Sequence, residues 1–120
     1  ASSGYEIVNS LHTYTYLDYK YKNLPLSKAY SFDPIPKELA KEHHNKVIGL
    51  GAQMWGEWIP TNGEMHFRVF PRIAAYAEIG WTSKENKNFK SFKSALKNLQ
   101  KRWQNKGIYF ADNEFVEKNK

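Results

Sequence analysis

An α/β fold built on parallel strands is what the sequence predicts, and three observations predict it. Two short runs rich in β-branched and aromatic residues, residues 5–9 and 47–55, are separated by far more chain than a hairpin needs. Two stretches with apolar residues three or four apart follow the second run. The 120 residues hold 18 Lys plus Arg, 12 Asp plus Glu and no cysteine. That is enough for one core of modest size, without a disulfide framework, a thiolate metal site or a cysteine nucleophile. A mean hydropathy of −0.73 and the lack of any run of 18 apolar residues leave no expectation of a membrane span. Ala1-Ser2-Ser3-Gly4 has neither the basic start nor the apolar stretch of a signal peptide. With 7 Phe, 8 Tyr and 4 Trp the chain is too aromatic for a disordered tail, and its start without Met suggests a piece of something longer.

Tyr5-Glu6-Ile7-Val8-Asn9, behind Gly4, reads as a short and mostly buried strand. From Leu11 to Pro36 a long loop carries Tyr14, Tyr16, Tyr19, Tyr21 and Tyr30, and Pro25, Pro34 and Pro36 preclude a long helix. Connections of this length tend to be functional. A short helix is expected over residues 37–44. The second strand, residues 47–55, has glycines that suggest close backbone approach, and it leads into Gly56-Glu57-Trp58. After Pro60-Thr61-Asn62-Gly63 the spacing of Phe67, Phe70, Ile73, Ala74, Ala77 and Trp81 predicts one apolar helical face, kinked or reopened at Pro71. A last helix is capped by Ser83, ends at Gly107 and aligns Phe89, Phe92, Leu96, Leu99 and Trp103.

The net charge of +6 is local. Residues 1–82 hold eight basic and eight acidic groups, whereas residues 83–120 hold ten and four. Lys84, Lys87, Lys90, Lys93, Lys97 and Lys101 flank the apolar stripe of the last helix and read as a solvated face, not a nucleic-acid interface. His12, His43, His44 and His66 lack metal-ligand spacing, so no metal and no cofactor are expected.

Four motifs occur in order: Tyr16-Leu17-Asp18 after the first strand, Ala29-Tyr30-Ser31-Phe32-Asp33-Pro34 in the loop, Gln53-Met54-Trp55-Gly56-Glu57 at the second strand's end, and Phe70-Pro71-Arg72 with Ala77-Glu78-Ile79-Gly80-Trp81. Together they resemble the C-terminal part of a family 20 glycoside hydrolase, the β-N-acetylhexosaminidases, from about Gly4 to Phe110. The resemblance implies the C-terminal fragment of a (β/α)8 TIM barrel, about the last two strands with their helices. Residues 1–110 would be the barrel portion and residues 111–120 a tail. Such barrels carry their chemistry at the C-terminal ends of the strands, where both Tyr-x-Asp and Trp-x-Glu fall.

The resemblance further implies hydrolysis of terminal N-acetylglucosamine or N-acetylgalactosamine by substrate-assisted retention. Tyr16 matches the tyrosine that positions the acetamide, while Asp18, Trp55 and Glu57 match sugar-binding residues. The family's adjacent Asp-Glu pair, which supplies the general acid, is absent from this chain, so these residues alone are expected to be inactive. The expected partners are N-acetylhexosamine-containing glycans, together with the rest of the barrel or another chain over exposed edges, and no nucleic acid or membrane. A secreted, periplasmic or lysosomal address follows from the resemblance only. The alternative is a non-catalytic domain that binds glycan through its aromatic loop or a polyanion through its basic helix. Arg72 and Glu78 read as scaffold, and Trp58, Tyr14 and Tyr19 stay open between lining an outer subsite and packing.

Overall fold

The computed structural model describes residues 1–113 and 116. Strand β1 (Ile7–Asn9) pairs in parallel with β2 (Val47–Leu50), Ile7 facing Val47 and Asn9 facing Leu50 across a small bulge after Ile7. β1 starts later than the sequence predicts and β2 stops earlier, at Leu50, because after Asn9 the first chain leaves the ladder for helix α1 (His12–Thr15) and a strand residue without a neighbour is no longer held flat. The ladder then resumes. Gly51 N–H donates to the Asn9 carbonyl (3.1 Å), Gln53 N–H to Thr15 (3.0 Å) and Leu17 N–H to Gln53 (2.7 Å). The long loop contains only α1 and α2 (Leu26–Tyr30), the latter opened by Pro25. The helix expected over residues 37–44 is instead a 3-10 stretch, Lys41–Lys46, preceded by a turn in which Leu39 N–H donates to the Pro36 carbonyl at 3.0 Å.

Helix α3 (Asn62–Val69) starts where the Thr61 hydroxyl accepts the Glu64 N–H at 3.1 Å, the Thr-x-x-Glu pattern of a capped first turn. Pro71 ends the helical path and caps α4 (Arg72–Trp81), after a cis Phe70–Pro71 peptide. This break shifts the helical phase, and the single face expected from Phe67 to Trp81 does not form. The buried residues of α4 are Arg72, Ala74, Ala75, Tyr76 and Ile79, so of the expected face Ala74 is buried, whereas Ala77 is exposed and Trp81 is 92% exposed. Helix α5 (Phe89–Asn105) buries Phe92, Leu96 and Gln100. Its cap is Asn88, whose side-chain oxygen accepts the Ser91 N–H at 2.9 Å, while Ser83 precedes a separate 3-10 turn, Lys84–Asn86. Gly107, at φ +75°, terminates it as expected. Beyond it, Gln100 and Asn113 exchange two amide hydrogen bonds (2.8 and 3.2 Å), and Ala111 and Val116 are buried. The rest of the tail expected over residues 111–120 lies outside the described residues. No helix among the described residues is long and apolar enough to cross a membrane.

The core lies between the helices and the tyrosine-rich loop. Leu17, Tyr21, Leu24, Leu26 and Ala29 from the loop meet Ala75, Tyr76 and Ile79 of α4, and Tyr30 stacks on Phe92 of α5 with ring centroids 4.8 Å apart. Strand residues Val8 and Ile48 stay 56% and 59% exposed. At the centre is a fully buried cation, Arg72. Its Nη2 donates to the carbonyls of Leu17 and Arg68 (2.5 Å each), its Nη1 to those of Tyr19 (2.8 Å) and Leu24 (3.1 Å), and its Nε to Arg68 (2.9 Å). The guanidinium carbon sits 4.2 Å from the centre of the Tyr21 ring. Tyr21 in turn places its hydroxyl 2.7 Å from the Phe67 carbonyl and 3.0 Å from that of Phe70.

Arg72→Met would leave those carbonyls buried without donors. We expect a loss of about 3 kcal/mol or more, at 1–3 kcal/mol for each orphaned group, read by denaturant unfolding. Arg72→Lys is expected to restore only part of it, because one ammonium cannot reach carbonyls spread over a planar fork.

Burial pushes the Tyr21 phenol up to about 12, against the opposing pull of the Arg72 charge. A phenol raised on folding holds its proton longer in the folded than in the unfolded chain. Its contribution to stability is therefore complete below about pH 10 and is lost as pH rises toward 12. Melting temperatures measured across that window should fall, and less steeply in Tyr21→Phe.

Candidate active-site rim

Past the C-terminal ends of the two strands, the resumed ladder sets the rim. Tyr16 is bridged in parallel to Gln53. Paired residues of parallel strands point the same way, and Trp55, two residues further along an extended chain, returns to that side. The Tyr16 and Trp55 rings accordingly meet edge to face, with centroids 6.1 Å apart and planes at 61°. Behind them, the buried Thr15 hydroxyl lies 3.1 Å from both the Leu11 carbonyl and the Gln53 side-chain oxygen and has one proton to share between them. Gly51 permits this close pairing: a Cβ there would run into the Ser10 hydroxyl and come within 2.9 Å of Gln53 Nε2.

Asp18 follows Tyr16 by two residues on a backbone whose carbonyls are all occupied. Arg72 holds those of Leu17 and Tyr19, and Arg68 Nη1 donates to that of Asp18 itself at 2.9 Å. The Arg68 Nε is spent on Glu64 (3.1 Å). The side chain of Asp18 is thereby left to other uses: its Oδ1 is buried and has no hydrogen-bond partner. Glu57 is exposed, in a tight turn closed by Ile59 N–H donating to the Gly56 carbonyl at 3.1 Å.

Of the four residues singled out in the sequence, Tyr16 and Trp55 are in ring contact, Asp18 is anchored just beyond Tyr16, and Glu57 sits two residues past Trp55. Of the three left open, Tyr14 packs, stacked on Phe32 at 5.5 Å. Tyr19 shares a 2.9 Å hydrogen bond with His12 Nδ1, and Trp58 stands 85% exposed on the turn beside Glu57. Arg72 is scaffold, as expected, but its partners are carbonyls and an aromatic face. Sequence reasoning missed Thr15, Gln53 and the role of Arg68. A signal existed for one of these: Gln53 is the polar residue inside an apolar strand run. Among the described residues, no cluster of three or more His, Asp or Glu is arranged to hold a metal.

Parallel strands followed by helices, with the aromatic and acidic motifs past the strand ends, fit part of a (β/α)8 barrel. Residues 1–84 match the model of the glycosyl hydrolase family 20 catalytic domain, and the chain belongs to that family. A beta-hexosaminidase of Porphyromonas gingivalis is 35% identical over 86 residues, covering 72% of this chain and 11% of that protein. A beta-N-acetylhexosaminidase of Cellulomonas fimi is 27% identical across 90% of this chain and 24% of its own length. Among solved structures, a GH20 exo beta-N-acetylglucosaminidase from Vibrio harveyi in complex with N-acetylglucosamine superposes with a TM-score of 0.81 at 26% identity, covering 92% of this chain and 19% of that one. The chain thus spans between about a tenth and a quarter of the length of these relatives. Its fold is the C-terminal part of the barrel, about the last two strands with their helices.

Proposed function

We propose that the complete barrel to which these residues belong is a β-N-acetylhexosaminidase. In this reading it removes terminal N-acetylglucosamine or N-acetylgalactosamine by substrate-assisted retention, and this chain forms one wall of the sugar pocket. The observation that carries the proposal is the Tyr16–Trp55 pair at the strand ends of a family 20 chain, with the unpartnered Asp18 oxygen beside it. In this reading Asp18, a partly buried residue, accepts a hydrogen bond from a sugar hydroxyl. Exposed Glu57 offers a second carboxylate for the same purpose, since charge-assisted hydrogen bonds are the stronger kind. The half-exposed Trp55 indole suits the apolar face of the pyranose and the acetamide methyl.

In the proposed reaction the substrate's acetamide oxygen attacks C1 as the glycosidic bond breaks, giving an oxazolinium-type intermediate that water then opens. The Tyr16 hydroxyl donates to the acetamide and holds its oxygen in line with C1. The leaving oxygen takes its proton from a general acid that this chain does not contain, as it has no Asp-Glu pair. On this reading the 120 residues alone bind sugar weakly and turn none over, and the rest of the barrel covers Val8 and Ile48.

Two outcomes are expected in the complete barrel with an aryl N-acetylhexosaminide. Glu57→Gln should weaken substrate binding about 10- to 100-fold, the equivalent of a charged hydrogen bond of roughly 1.5–3 kcal/mol, with a smaller change in kcat. Wild-type kinetics in that variant would remove Glu57 from the site. Tyr16→Phe should lower kcat more than it raises KM, because a donor that aligns the attacking oxygen matters most in the transition state. An effect confined to KM would mean that Tyr16 only packs.

A further inference from the structure

Trp55 is not the only ring against Tyr16. His12 lies at a centroid distance of 5.7 Å and 65°, and Tyr19 at 5.8 Å and 48°. His12 and Tyr19 lie edge to face at 6.4 Å and 84°, and the His12 Nδ1 and Tyr19 hydroxyl are 2.9 Å apart, sharing one proton. The sequence builds this arrangement locally. His12 begins α1 and Tyr16 follows its last residue, so the four-residue spacing of a helical turn brings the two rings together, and Tyr16 N–H donates to the His12 carbonyl at 3.2 Å. Tyr19 is anchored at its backbone twice, by its N–H to the Tyr16 carbonyl (3.1 Å) and by its carbonyl to Arg72.

We propose that His12 and Tyr19 act as one unit, a brace of positioning residues that fixes the Tyr16 ring through the hydrogen bond between them. This inference rests on Tyr16 being the acetamide donor. His12 is an exposed side chain, whereas Tyr19 is partly buried and packed against the core. Their hydrogen bond is directional, so it ties the exposed His12 ring to the packed Tyr19 and holds both in one pair of rotamers beside Tyr16. The Tyr16 hydroxyl then has one position relative to the reacting C1. A donor allowed to swing by even an ångström loses much of its effect on the rate while still touching the sugar. The brace should therefore be felt in turnover and hardly in binding.

The test uses the complete barrel and an aryl N-acetylglucosaminide. Tyr19→Phe and His12→Phe each keep an aromatic ring and delete the hydrogen bond. Each is expected to lower kcat about three- to tenfold with KM within about twofold, as a misaligned donor predicts. The double variant should be no slower than either single one, since both remove the same bond. Losses that multiply in the double variant overturn the proposal, as does a fall in Tm with kcat per folded molecule intact, which is packing alone. Tyr16→Phe separates the two levels of the argument. If it is slow while both brace variants turn over at the wild-type rate, the brace is wrong and the function stands. If it turns over at the wild-type rate, the role of Tyr16 and the brace fall together.

Discussion

The structure depends on one buried guanidinium. A cation removed from water ordinarily calls for a carboxylate, because desolvation disfavours its charge by several kcal/mol. Burial does depress the basicity of Arg72 from its ordinary value, and Tyr21 and Tyr76 partly oppose that shift. What compensates the charge is geometry: five donors meet the carbonyls of Leu17, Tyr19, Leu24 and Arg68, with the Tyr21 ring against the cation's face. The Arg68 carbonyl belongs to the last turn of α3, where carbonyls have no partner within the helix, so the same group also closes a helix end. A loop of irregular backbone is thereby given the hydrogen bonds that a sheet would have supplied. Convergence on three of its carbonyls leaves it one conformation.

That clamp and the interrupted ladder together locate the rim. The detour through α1 takes the first chain out of register with the second for several residues and returns it at Thr15 to Leu17, where Gln53 receives it. From there the loop passes at once into the grip of Arg72. Tyr16 thus lies between two fixed points, one of ladder and one of clamp, on a segment that is otherwise loop. Rigid placement of a loop residue is what chemistry at a strand end requires, and here it is achieved without a longer strand.

Much of this was legible in the sequence. Parallel strands, the helical reopening at Pro71, the Gly107 stop and the grouping of Tyr16 with Trp55 follow from local spacing and from motif order. Four features were not legible, each for a physical reason. The two strands are short because neighbours, not β-propensity, hold a parallel strand, and pairing partners are not written in the local pattern. The apolar face predicted from Phe67 to Trp81 fails because Pro71 resets the helical phase, so Trp81 points outward and Ile79 inward. Ser83 is a good capping residue, but Asn88 caps α5 because a separate turn intervenes. The role of Arg72 was read only as scaffold, since a sequence shows a cation on an apolar helix face but not the carbonyls it will meet.

Neither of the two arginines near Asp18 takes its carboxylate. Arg68 is close enough to Asp18 to hydrogen-bond its carbonyl, and a guanidinium at that range would ordinarily capture the carboxylate. Instead its Nε pairs with Glu64, one helical turn back, and its Nη1 with the Asp18 main-chain carbonyl. Arg72 is equally committed to carbonyls. Had either paired with Asp18, the acid would have been neutralised and held, and a sugar hydroxyl would have met a satisfied group. Donating to main-chain oxygen fixes the backbone of the acid while leaving its carboxylate unpaired. The proposed sugar-binding role of Asp18 needs both of these at once.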